Sequence, residues 1–102
     1  MIKNFFHNLN SHKVNYMRIN PSLAYRRIAG EMFIVDASRA ELHELNGPAA
    51  LIWEGLASGR TTERIISSIV SEFEIDENTA RTDLENFIKE LLKTGLLCIK
   101  ST

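Results

Sequence analysis

A chain of 102 residues, 44% hydrophobic and 25% charged, holds one domain with a modest core; it is too short for two and too apolar to stay unfolded along its whole length. No apolar run approaches the roughly 20 residues of a membrane-spanning helix, and the opening "MIKNFFHNLN" is too polar for the centre of a secretory signal, so the chain reads as cytoplasmic with no membrane partner. The formal net charge of −1 conceals a division: residues 1–30 carry five bases and no acid, while residues 31–102 set seven bases against thirteen acids, a body that repels nucleic acid.

The first stretch, "MIKNFFHNLNSHKVNYMRIN", is rich in Asn, lacks a sustained period and ends at Pro21. It is read as a basic arm, residues 1–20, whose order the sequence leaves open, ahead of a domain at 21–102. From Ser22 the pattern sharpens. "LAYRRI" and "EMFIVD" flank Ala29-Gly30, a short turn whose glycine tolerates a positive φ, and so read as a hairpin. A second turn at "DASR" places Asp36 where its carboxylate can bond the turn backbone, and leads into "AELHEL". These three strands form an antiparallel meander.

Strand order follows from how many faces each strand hides. Met32, Phe33, Ile34 and Val35 are consecutive apolar residues, which predicts a central strand covered on both faces. Its neighbours mix in charge, as Tyr25-Arg26-Arg27-Ile28 and as Glu41-Leu42-His43-Glu44-Leu45, the habit of edge strands. The third strand therefore keeps one open side.

Three helices follow. Pro48 suits a first helical turn, and Ala49, Ile52, Trp53 and Leu56 recur at the spacing of a buried stripe. Thr61 is a good N-cap for a second helix with Ile65, Ile66, Ile69, Val70 and Phe73 on its apolar face. Asp76 caps a third, lined by Ala80, Leu84, Phe87, Ile88, Leu91 and Leu92 and stopped at Gly95; a short "LLCI" segment closes the chain. The fold class is α+β, a three-stranded antiparallel β-meander followed by three helices.

Catalytic chemistry finds little footing. His7 and His12 lie in the arm at a poor spacing for a shared metal, and His43 stands alone between glutamates on a strand. Ser67 and Ser68 sit on a predicted helix without a base, and Cys98 has neither a disulfide partner nor metal-ligand company. Glu72, Glu74, Asp76 and Glu77 lack the alternate spacing of a calcium loop. No enzyme activity, cofactor or metal is expected.

The order β-β-β-α-α-α carries a resemblance. In "ELHELNGPAALIWEGLASGRTTERIISSIVSEFEIDENTARTDLENFIKELLKTGLL" a strand ends in Leu-Asn and a helix of small residues carries an Ile-Trp pair. Gly-Arg-Thr opens the next helix, a Phe precedes an acidic cap, and Leu-x-x-x-Gly-Leu-Leu closes the stretch. Over about residues 22–98 the chain resembles the pyrroloquinoline quinone biosynthesis protein D family. The resemblance implies a winged helix-turn-helix-like recognition element that binds the leader of a ribosomally made precursor peptide and presents it to a modifying enzyme, such as a radical SAM enzyme or a lasso-peptide protease and cyclase. In that family the leader adds as an antiparallel strand beside the third strand, and its apolar side chains enter the groove between that strand and the third helix.

Carried over, the implied peptide-binding residues are Glu41, Leu42, His43, Glu44 and Leu45 on the strand and Leu84, Phe87, Ile88 and Leu91 on the helix; which of those four face the groove stays open. The runner-up is a winged-helix DNA-binding regulator. Its reading helix would carry Asp76, Glu77, Asp83, Glu85 and Glu90 against Arg81, Lys89 and Lys93, the wrong sign for a phosphate backbone, and nucleic acid is not an expected partner.

Overall fold

The turn at Ala29-Gly30 sets the register of the sheet. Both residues have positive φ, +52° and +85°, the two-residue turn whose twist matches that of the strands it joins. In this computed structural model, which describes residues 17–99, the hairpin is β2 (Ala24–Ile28) and β3 (Glu31–Asp36), with Ile28 opposite Glu31 and Tyr25 opposite Ile34. β4 (Glu41–Leu45) pairs antiparallel with the other side of β3, Met32 opposite Leu45 and Asp36 opposite Glu41, giving the order β2-β3-β4. The meander and its order are those expected from the charge and burial pattern.

Burial of β3 is one-sided, which corrects the expectation of two covered faces. Met32, Ile34 and Asp36 are buried; Phe33 is half-buried and Val35 is 45% exposed. Four apolar residues in a row mark the central strand by position, but only alternate ones meet the helices. Tyr25 and Arg27, sharing the inner face, reach the first helix: the Tyr25 ring stands nearly perpendicular to Trp53 at 5.4 Å, and Arg27 Nε lies 3.3 Å from Glu54.

The helices are α1 (Gly47–Ala57), α2 (Thr62–Phe73) and α3 (Glu77–Thr94). Pro48 occupies the first turn of α1; the Thr61 hydroxyl accepts the Arg64 N–H at 3.2 Å, and the Asp76 carboxylate accepts that of Thr79 at 2.7 Å. Gly95, at φ +81°, ends α3, and the N–H groups of Gly95 and Leu96 return to the carbonyls of Leu92 and Leu91. Trp53, Ile52, Ile65, Ile69, Leu84 and Ile88 form the centre of the core, closed on the sheet side by Ile34.

A pairing not foreseen ties the ends of the described chain together. β1 (Met17–Ile19), inside the stretch read as an arm, runs antiparallel to β5 (Leu97–Ile99), with Arg18 opposite Cys98. Asn20 continues the contact, its backbone N–H reaching Leu96 O at 3.0 Å and its side-chain amide reaching Gly95 O at 3.1 Å. The remainder of the arm, including His7 and His12, lies outside the described residues.

Candidate peptide-binding site

Among the described residues β4 is paired on one side only, so its other side presents a row of backbone N–H and C=O groups without partners in the sheet. Its side chains divide by the pleat. Glu41, His43 and Leu45 share the face of Asp36, Ile34 and Met32, toward the helices, and His43 and Leu45 are half-buried there. Leu42 and Glu44 lie on the opposite face with Val35 and Phe33, and Leu42 is 65% exposed.

The two ends of β4 lie near two different stretches of α3. Arg39, in the turn before β4, donates to the Thr94 carbonyl at the end of α3. At the far end of β4 the chain enters α1, where Pro48, Ala49 and Ile52 share an apolar cleft of about 260 Å3 with Asp83, Asn86 and Phe87 of α3. Five residues of strand span about 17 Å, and the helix from Asp83 to Thr94 rises about 16 Å. Strand and helix segment thus match in length.

The four third-helix residues named from the sequence part company. Leu84, Ile88 and Leu91 are at most 2% exposed and belong to the core, whereas Phe87 is half-buried and lines the cleft. Pro48, Ala49, Asp83 and Asn86 join it there, none of them named as a binding residue from the sequence. The available signal was the position of Asp83, four residues before Phe87 and three before Asn86, which groups the three on one side of the helix.

Charges around the strand are mostly acidic. His43 Nε2 lies 3.3 Å from Glu41 Oε1. Glu31 and Glu44 share a hydrogen bond that, followed by their repulsion, pushes the Glu31 carboxyl above its ordinary pKa. Asp36 has the reverse shift: the Ser38 hydroxyl, 2.7 Å away, holds its carboxyl below the usual range, with the Arg39 backbone and guanidinium adding to the effect against the opposing cost of desolvation. Among the described residues, no three His, Cys, Asp or Glu side chains converge as a metal site, and no helix is long and apolar enough to cross a membrane. A larger cleft of about 530 Å3 flanks β2, the sheet's opposite edge, between β1 and the end of α1, away from β4.

Two solved structures share this fold. TbiB1 in complex with the TbiA(beta) leader peptide matches with a TM-score of 0.75 at 24% identity, covering 83% of this chain and 99% of that one. Lasso peptide synthetase B1 complexed with the leader peptide matches with a TM-score of 0.74 at 24% identity, covering 81% and 98%. A comparison with curated proteins gave no match. The family model for Coenzyme PQQ synthesis protein D (PqqD) matches residues 31–97, a span that takes in β3, β4 and all three helices; the chain belongs to the PqqD family.

Proposed function

We propose that this chain binds the leader segment of a ribosomally synthesised precursor peptide by adding it as a strand to the open edge of β4, and presents it to a modifying enzyme. The observation that carries the reading is the side of β4 left unpaired among the described residues, in a fold shared with two proteins solved with leader peptides. Main-chain hydrogen bonds supply the affinity of such an addition, and alternate side chains supply its specificity. In the antiparallel sense the peptide runs from the Leu45 end toward Glu41. Every second side chain then descends among His43, Leu45 and Phe87, and the others extend the outer row that Val35 and Leu42 begin.

Within this reading the chain is a non-catalytic adaptor, and the partner enzyme is one that modifies ribosomal peptides, a radical SAM enzyme or a lasso-type protease and cyclase. Precursor and enzyme would be named by the genes beside its own. The acids of α3, with Arg81 engaged by Glu63 and Glu77, leave a duplex-reading role without support.

Proline scanning of the edge tests the proposal. Backbone groups of successive residues point to opposite sides of an antiparallel strand, so one of Leu42 and His43 directs its N–H outward. Of Leu42→Pro and His43→Pro, that one should weaken leader binding at least about tenfold, roughly 1.4 kcal/mol, with Glu44→Ala changing it less. Circular dichroism must show each variant folded before its affinity is read. Binding by both folded variants at the parent's affinity, with chemical-shift changes along α2 and α3 instead, would refute strand addition at β4.

A further inference from the structure

The position of β4 relative to α3 has few supports. On one side β4 is held by β3; with α3 it makes no extensive contact. At its end, chain continuity through Asn46 and Gly47 into α1 fixes it. At its start stands the turn Ala37–Ala40, exposed throughout and closed by Ala40 at φ +54°. Among the described residues, the side-chain hydrogen bond from that turn to α3 is that of Arg39 to the Thr94 carbonyl.

We infer that Arg39 is a positioning residue for peptide capture: its guanidinium, stretched between the Asp36 carboxylate and the Thr94 carbonyl, holds the start of β4 to the end of α3 and so sets the spacing of the proposed peptide site. The inference rests on the leader-binding reading above. Asp36 is 3% exposed, fixed by the Ser38 hydroxyl at 2.7 Å, and its Oδ2 lies 3.8 Å from Arg39 Nε. One face of the guanidinium is thereby oriented before the other reaches the helix.

The receiving end is built to match. Leu91 and Leu92 carbonyls are taken by the backbone at Gly95 and Leu96, and Asn20 takes that of Gly95, leaving the Thr94 carbonyl for Arg39. The cation also lies at the negative end of the helix dipole. Room for it exists because residue 95 has no side chain: a Cβ there would stand 3.0 Å from Arg39 Nη2. A lysine would keep the charge but could not span carboxylate and carbonyl with a rigid planar fork. An added strand must satisfy the β4 backbone and the α3 wall at once. A groove free to open therefore makes the peptide bear the ordering cost that the clamp has already met.

The test uses the full chain with Arg39→Ala, Arg39→Lys and a control, Arg81→Ala. The control breaks a comparable fork, Arg81 to Glu63 and Glu77 at 3.1 Å, at the α2–α3 contact. The probe is a synthetic leader peptide from the precursor encoded beside this chain, titrated by fluorescence anisotropy. Expected are a loss of about tenfold for Arg39→Ala, a smaller loss for Arg39→Lys, and none for Arg81→Ala, at similar melting temperatures for the two alanine variants. Amide exchange at Glu41–Leu45 of the free protein should quicken in Arg39→Ala alone. Parent affinity in Arg39→Ala, or equal losses in both alanine variants, overturns the positioning role while leader binding stands. No binding by the parent overturns both.

Discussion

Gly55 lies where α1 crosses α2, and an added methyl measures how tightly. Built on the backbone, its Cβ would stand 2.6 Å from Ile65 Cγ1 and 2.9 Å from Cδ1, well inside ordinary carbon contact of about 3.5–4.0 Å. Cγ1 is not a free chain end, and Ile65 is 1% exposed, so relief requires moving the helices apart. Over-packing of this kind costs about 1–3 kcal/mol, while alanine in place of glycine returns about 1 kcal/mol of helix propensity. Gly55→Ala should thus destabilise by up to roughly 2 kcal/mol net, lowering the melting temperature by about 4–8 °C per kcal/mol in a domain of this size. Urea unfolding followed by circular dichroism gives the free energy directly. The discriminating measurement repeats the substitution in an Ile65→Ala background, where the obstructing atoms are gone. There the same change should stabilise by about 1 kcal/mol, and the reversal of sign is the coupling between the two positions. A stabilising Gly55→Ala in the parent would refute the reasoning, because it would mean that the helices do not meet there at the described distance.

Trp53 is fully buried and its Nε1–H has no hydrogen-bond partner among the described residues, so Trp53→Ala should cost about 3–5 kcal/mol, and Trp53→Phe distinctly less, since the unpaired donor leaves with the indole; equal losses by chemical denaturation would contradict this. Stability should also fall in acid. Asp36, held below its ordinary pKa first by Ser38, and Asp76, held down by the Thr79 N–H, bind protons more weakly folded than unfolded, so their contribution is complete above the usual aspartate value of about 3.9 and is lost as pH falls through the lower folded values. Glu31, raised by Glu44, acts in the opposite sense, its protonation relieving repulsion, so a pH titration of Asp36→Asn/Asp76→Asn should show a shallower acid slope; an unchanged slope would assign acid sensitivity elsewhere.

Legibility followed the range of the interactions. Helix starts were readable because a cap acts over three residues: Thr61 on Arg64 and Asp76 on Thr79 are contacts the sequence contains. The hairpin was readable for the same reason, from Ala29-Gly30. β1 was not. "MRI" sits in an Asn-rich stretch and becomes a strand only because β5 arrives from the far end of the chain, Met17 opposite Ile99. Val35 misled because four apolar residues in a row suit two covered faces, whereas the helices cover one and leave Val35 in the row with the exposed Leu42. Along α3, Leu84, Ile88 and Leu91 follow the core stripe at four and seven residues while Phe87 stands one step aside. The wheel alone does not say which flank meets β4, since that depends on where the turn before β4 is pinned.

On the proposed reading, an edge open to a peptide must still refuse a second copy of itself, and the acids of β4 bear on that. Two β4 strands meeting antiparallel with Glu41 opposite Glu44 would place two acid–acid pairs across the junction, which is destabilising. Sliding by one residue to set His43 opposite His43 places Leu42 against Glu44, with Glu31 adding a further carboxylate beside each Glu44. The strand is also short, ended by Ala40 at φ +54° before it and Gly47 at φ +56° after it, which limits the ladder any partner can form. On the proposed reading, a leader without carboxylates opposite Glu41 and Glu44 escapes this repulsion, and its apolar side chains have the cleft at Phe87, Pro48 and Ala49 to enter. The same glutamates that discourage self-pairing thus leave the backbone of β4 available for the proposed strand addition, with alternate side chains of the added strand supplying its specificity.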